Sequence, residues 1–230
     1  MAVKTLELPE VGTVKLYRRR GTRGIRLTLS VDNYTRVTMP LWMPYSTALG
    51  FVESKKDWII KHQSPSHVFK ENELVGKSYR IKFVPTGSSN VSTRIVGNEL
   101  RVFCPPNVSK SSVSVQSAAE RVALKSLKQQ SQQLLPQRLD QLAKKHGFNY
   151  AALSVKRLKS RWGSCTHQKD IALNIFLMQL PWDLIDYVIT HELVHTKALN
   201  HGRDFWVLLE ECLPDARDRK KMLRTHKPAF

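Results

Sequence analysis

The stretch "VITHELVHTKALNHGRDFW", residues 188–206, limits the folds open to this chain more than any other feature. It places three histidines and a glutamate within eleven residues. His191 and His195 are four positions apart, so on an α-helix they sit one turn apart and about 40° from each other around the axis. Two imidazoles in that relation can reach one metal ion from the same side. Glu192 is offset by about 100°, so its carboxylate can reach the water that such an ion activates without ligating the ion itself. A hydrolytic site of this kind wants three protein ligands and one open position.

His201 is the expected third ligand. It follows His195 by six residues, between Asn200 and Gly202, both good helix-terminating residues, so the chain can leave the helix and turn back. Glu210 and Glu211 are the rivals, as in sites built from two histidines and a glutamate. The spacing His-x3-His-x5-His matches the metzincin pattern, but Ala198 stands where that pattern has glycine, so that group is not indicated. The bland alternative is a helix with surface histidines and a salt-bridging glutamate. Val188, Ile189, Leu193 and Val194 argue against it, because histidines on so apolar a helix are partly buried and a metal would satisfy them.

The rest of the chain reads as α+β. Period-two alternation predicts strands in "TVKLYRRR", "GIRLTLSV" and "TRVTMP", with a turn at residues 21–24. The segment "YSTALGFVESKKDWIIKHQ" has helical spacing, with Leu49, Val52, Trp58 and Ile59 on one face and Ser46 as the expected N-cap. A second strand set follows in "KSYRIKFVP", "VSTRIVG" and "ELRVFCPP". Residues 109–146 are helical, with their glutamines on a solvated face and Pro136 expected to break or kink the helix into two pieces. Then "LSVKRLK" and "DIALNIFL" read as strands flanking the loop "SRWGSCTHQK". The active helix is predicted over 182–199, followed by helices in "DFWVLLEECL" and the basic tail. No internal repeat is evident. The expected division is a strand-rich region with one helix over residues 1–108 and a helix-rich hydrolase domain with a small sheet over 109–230.

Charge is the strongest compositional signal, a net +18 from 37 basic and 19 acidic residues. Residues 101–169 carry thirteen Lys or Arg against only Glu120 and Asp140. Such a field attracts anionic substrates or nucleic acid, non-specifically and with strong salt dependence; the alternative is a basic surface with no dedicated ligand. No apolar run reaches membrane-spanning length and no secretory signal is visible, so the expectation is a cytoplasmic protein with no membrane partner. Three widely separated cysteines, with no C-x-x-C pair, indicate neither a zinc ribbon nor a disulfide scaffold.

The combination "RWGSC", "IALN", "DYVITHELVHTKALNHGRDFW" and "CLPDARDRKKML" resembles the YgjP-like family of predicted zinc metallopeptidases, with the SprT-like proteases as more distant relatives. The resemblance is dense over residues 157–223 and looser toward the N-terminus. It implies a zincin-like second domain, His191, His195 and His201 as metal ligands, and Glu192 as the catalytic base. Zinc suits three imidazoles, although ligand type alone leaves another divalent ion open.

Three further features bear on substrate. In many zinc proteases an edge strand beside the active helix holds an extended peptide, a role open to "DIALNIFL" beside that of a core strand. Arg161 is a candidate contact for an anionic substrate group. Asn174 is a candidate for positioning substrate or a histidine, against a plain turn or sheet hydrogen bond. Cys165 with His167 is weighed as a thiol nucleophile or extra ligand against a small apolar residue, and Tyr187 is given a packing role. The leading expectation is therefore a zinc-dependent peptidase acting on a peptide or protein. The alternatives are a metal-dependent hydrolase of nucleotide phosphoanhydrides, weakened by the absence of a phosphate loop, and a SprT-like protease recruited to nucleic acid by the basic surface.

Overall fold

The computed structural model describes residues 3–8, 11–30, 34–62 and 67–230. The chain is α+β and divides into two compact units, one of residues 1–73 and 80–123, the other of residues 74–79 and 124–230. By compactness the change of unit falls inside a long helix, whereas residue 108 marks the change from strand-rich to helix-rich sequence. Among the described residues no helix is long and apolar enough to cross a membrane.

The first unit opens with β1 (Val3–Leu8), β2 (Gly12–Arg19), β3 (Arg26–Leu29) and β4 (Thr35–Pro40), in the sheet order β1-β2-β4-β3. Val31 of the expected second strand lies outside the described residues. Strands β2 and β4 are parallel, while β1 and β3 pair antiparallel with their neighbours. Alternation sends Val14, Leu16, Val37 and Met39 to one face, where Ala48, Val52 and Ile59 cover them.

The helix expected over 45–63 is two helices, α1 (Tyr45–Ser54) and α2 (Lys56–His62). Ser46 is not its cap. Pro44 occupies the cap position with no side-chain hydrogen bond, its ring already holding φ at −65°. Trp58 leaves the expected apolar face: it is 45% exposed and stacks on His62.

After β5 (Leu74–Val75), which belongs to the second unit, come β6 (Tyr79–Pro85), β7 (Ser92–Val96) and β8 (Glu99–Cys104). Here β6 runs parallel to β8, and β7 pairs antiparallel with β8. This is the arrangement of β2, β4 and β3 again. The backbone path recurs although the sequence shows no repeat, because strand order and direction need only apolar alternation, not the same side chains.

Helix α3 (Val113–His146) continues through Pro136, where the sequence predicts a break or a kink, and is not broken there. An internal proline costs about 3 kcal/mol. In the second unit that cost is offset by burial of Leu127, Leu135, Leu139 and Leu142. Two glutamines also depart from the expected solvated face. Gln116 bonds both backbone groups of Phe69 in the first unit. Gln130, in the second, accepts from Lys77 N at 2.7 Å and donates to Val75 O. Between those two residues Gly76 has φ +67°, and a β-carbon there would meet the Gln130 amide at 2.5 Å, so only glycine fits the turn.

The second unit continues with β9 (Ala152–Lys156), β10 (Gly163–Cys165) and β11 (Asp170–Asn174), ordered β10-β11-β9. Strand β11 is antiparallel to β10 and parallel to β9. It stops at Asn174, where the chain tightens into a 3₁₀ turn, Ile175–Gln179, so the expected strand "DIALNIFL" is only half strand. It is also the central strand rather than an edge. Helices α4 (Trp182–Val194), α5 (Arg203–Cys212) and α6 (Ala216–Leu223) complete the unit, and α4 packs against α5, α6, β10 and β11.

Candidate metal centre

Helix α4 is buried along most of its length, with Ile185, Ile189, Leu193 and Val194 at zero exposure. It ends at Val194 rather than near residue 199. His195 is the C-cap, and the next amides bond three residues back, Thr196 N to Leu193 O and Lys197 N to Val194 O, both at 3.0 Å. The Thr196 hydroxyl donates to the same Leu193 carbonyl at 2.7 Å. These bonds tighten the last turn and direct the chain back over the helix end, so that His201 arrives just before Gly202, the N-cap of α5.

The ligand nitrogens of His191, His195 and His201 all lie within 4.8 Å of one another. Nε2 of His201 is 3.0 Å from Nε2 of His191. Two nitrogens on one tetrahedral zinc, each bonded at about 2.0 Å, stand about 3.3 Å apart, so this spacing already approximates a shared ion. His195 Nδ1 lies 3.0 Å from the Ala198 carbonyl, which can only accept. Nδ1 therefore carries the proton, and Nε2 keeps its lone pair for a ligand. The residue that departs from the metzincin pattern thus sets the tautomer through its backbone.

Burial, then repulsion from the other two histidines, depresses the His191 pKa to about 3. Burial also lowers that of His195, partly opposed by the Ala198 hydrogen bond. Both are neutral at pH 7, the form a metal needs. Among the described residues this triad is the group able to hold a metal ion, and Glu210 is engaged instead by Arg217.

Phe205 forms the floor. Its side chain is fully buried, and its ring centroid lies 4.8 Å from His191 and 4.7 Å from both His195 and His201. Its contact with all three imidazoles depends on α5 folding back under α4, which no local pattern records.

Glu192 is 6% exposed, and burial lifts its pKa to about 8, against a smaller opposing pull from Arg161. It lies against β10. A β-carbon on Gly163 would sit 2.6 Å from Glu192 Oε1 and 2.8 Å from its Cγ, so the glycine of "RWGSC" serves close approach. Gly163→Ala is expected to displace the Glu192 side chain and lower kcat by roughly 100-fold while leaving metal content unchanged. A variant with wild-type kcat would reject that account.

The remaining candidates separate clearly. Arg161 lines the cavity on either side of Glu192. Asn174 is fully buried. Its amide donates to Leu158 O at 2.9 Å and Arg161 O at 2.8 Å, and its oxygen accepts from Phe176 N. It is spent on backbone and holds the loop that carries Arg161, the plain hydrogen-bonding role weighed for it. Cys165 stands on the cavity wall outside the triad, with burial pushing its thiol pKa up, and His167 is exposed. Tyr187 is 3% exposed, and burial, with the nearby Glu192, raises its pKa to about 12.

The profile of a known family, described as YgjP-like metallopeptidase domain, matches residues 23–226. No curated protein matches. Among solved structures, the crystal structure of the metallopeptidase zymogen abylysin of Pyrococcus abyssi is similar at 21% identity and a TM-score of 0.37, covering 40% of this chain and 93% of that one. The zymogen jannalysin of Methanocaldococcus jannaschii is similar at 20% identity and 0.36, covering 40% and 94%.

Proposed function

The chain belongs to the YgjP-like metallopeptidase domain family, and from that premise we propose that it is a zinc-dependent peptidase centred on His191, His195, His201 and Glu192. The observation that carries this reading is the convergence of three imidazoles beside one buried carboxyl group. A divalent ion held by the triad would supply an acidified water and a Lewis acid for the substrate carbonyl, and zinc suits such ligands.

Glu192 accepts the proton of the attacking water and delivers it to the leaving nitrogen. Its burial excludes solvent from that transfer, and Gly163 gives it the room to lie beside the histidines. Strand β10 takes over the substrate-holding role first considered for "DIALNIFL". It forms one edge of the small sheet, and its residues Gly163, Ser164 and Cys165 line the cavity with the histidines, so an extended peptide can pair along it.

The test is metal analysis joined to a substrate screen. Wild-type protein is expected to hold about one zinc per chain, and His195→Ala to hold far less. Unchanged metal content in the variant would remove the ligand assignment. In a parallel screen of a peptide library and nucleoside triphosphates, cleavage of nucleotides and of no peptide would defeat the peptidase reading.

A further inference from the structure

Beside Glu192 lies a cavity of about 450 Å³, lined by His191 but not by His195 or His201. It shares Arg161, Gly163, His191 and Glu192 with the cavity that contains the whole histidine triad, so a ligand crossing the site passes from one to the other. The wall is supplied by the Arg161 loop, by α4, and by α6 with the residues after it. Four cations line it, Arg161, Lys220, Arg224 and Lys227, and its single acid is the buried Glu192.

The pairing of charges on and around α6 is uneven. Arg217, Arg219 and Lys221 are matched to Glu210, Asp215 and Asp218. Among the described residues none of the four cavity cations makes an ion pair. Lys220 lies instead over the ring of Trp206 at 4.6 Å, which orients the ammonium without neutralising it. Lys220 and Arg224 are four residues apart and so share a face of the chain as it leaves the helix. A concave surface with several like charges and apolar walls, here Tyr187, Leu223 and Pro228, concentrates field where a counter-charge can enter.

The geometry points to an anion-binding subsite in this cavity: the substrate carries a negatively charged group, a carboxylate or a phosphate, next to the bond that is cut. The subsite rests on the reading of the histidine cleft as the catalytic centre. Three sources can present such a group, namely an acidic side chain, a free peptide C-terminus and a polyphosphate.

Binding is measured by calorimetry in Glu192→Gln protein, where turnover is suppressed. Three matched pairs are used: a peptide with Glu or Gln, the same peptide with a free or amidated C-terminus, and a nucleoside triphosphate or its nucleoside. In at least one pair the charged member is expected to bind about tenfold more tightly than its neutral twin. That preference is expected to collapse when Arg224→Gln and Lys227→Gln are added, with the circular dichroism spectrum unchanged. The pair that responds identifies the source. Absence of preference in every pair, or a preference that survives both substitutions, overturns the subsite. Cleavage by wild-type protein is scored separately. Cleavage of nucleotides and of no peptide, with anion binding through these cations retained, defeats the peptidase reading and leaves the subsite standing.

Discussion

Glu192→Gln is expected to lower kcat by about 10³-fold with metal content and KM little changed. Glutamine keeps the shape that fits against Gly163, but its amide cannot take a proton from the attacking water. A loss of metal with the loss of rate would instead make Glu192 a structural support of the triad. The same variant carries a signature independent of activity. In metal-free protein the carboxyl is protonated up to about pH 8, because burial penalises its charged form, while in the unfolded chain it ionises near its ordinary value of 4.5. Between those values the unfolded state holds fewer protons on this group, so its contribution to stability falls as pH rises. Glutamine does not titrate. Thermal unfolding of the metal-free proteins at pH 5 and pH 8 is expected to show a smaller drop for the variant, and an equal drop would remove the buried-acid account.

Phe205→Ala carries the second large effect, a loss of about 3–5 kcal/mol in the metal-free protein. The ring is fully buried and touches all three imidazoles, so removing it opens a cavity under the triad and frees each ring to tilt. Metal affinity is expected to fall as well, although no ligand has changed. Chemical denaturation and a competitive zinc titration measure the two losses. Phe205→Leu, which refills most of the volume, is expected to recover the larger part of both. Full metal affinity in the alanine variant would show that the α4 exit turn alone positions the histidines.

The convergence of the three histidines was legible in the sequence because its geometry is local. Two histidines four apart on a helix share a face whatever the helix packs against, and "NHG" signals a nearby exit. The place of that exit was not legible. Helical spacing continues to residue 199, but three-back bonds from Thr196 and Lys197 end α4 at Val194. The continuity of α3 through Pro136 was not legible for a related reason. A breaker's local cost is readable from sequence, whereas the leucine burial that offsets it belongs to packing. Likewise, alternation finds strands without saying which one is central, so edge and core roles both stayed open for β11 until the pairing put β10 at the edge.

Sequence alone determined the chemistry available to this chain: which side chains share a helical face, that a helix exit lies close to His201, and a basic excess of +18. Those follow from helix periodicity and from charge, which act at short range or in sum. Only the tertiary structure decided what surrounds that chemistry. It placed Phe205 beneath the imidazoles, Gly163 against the Glu192 carboxyl group and four cations, none in an ion pair among the described residues, around one cavity. Each depends on how separate elements pack, α5 and β10 against α4 or α6 against the Arg161 loop, and so carries no spacing that the sequence could display.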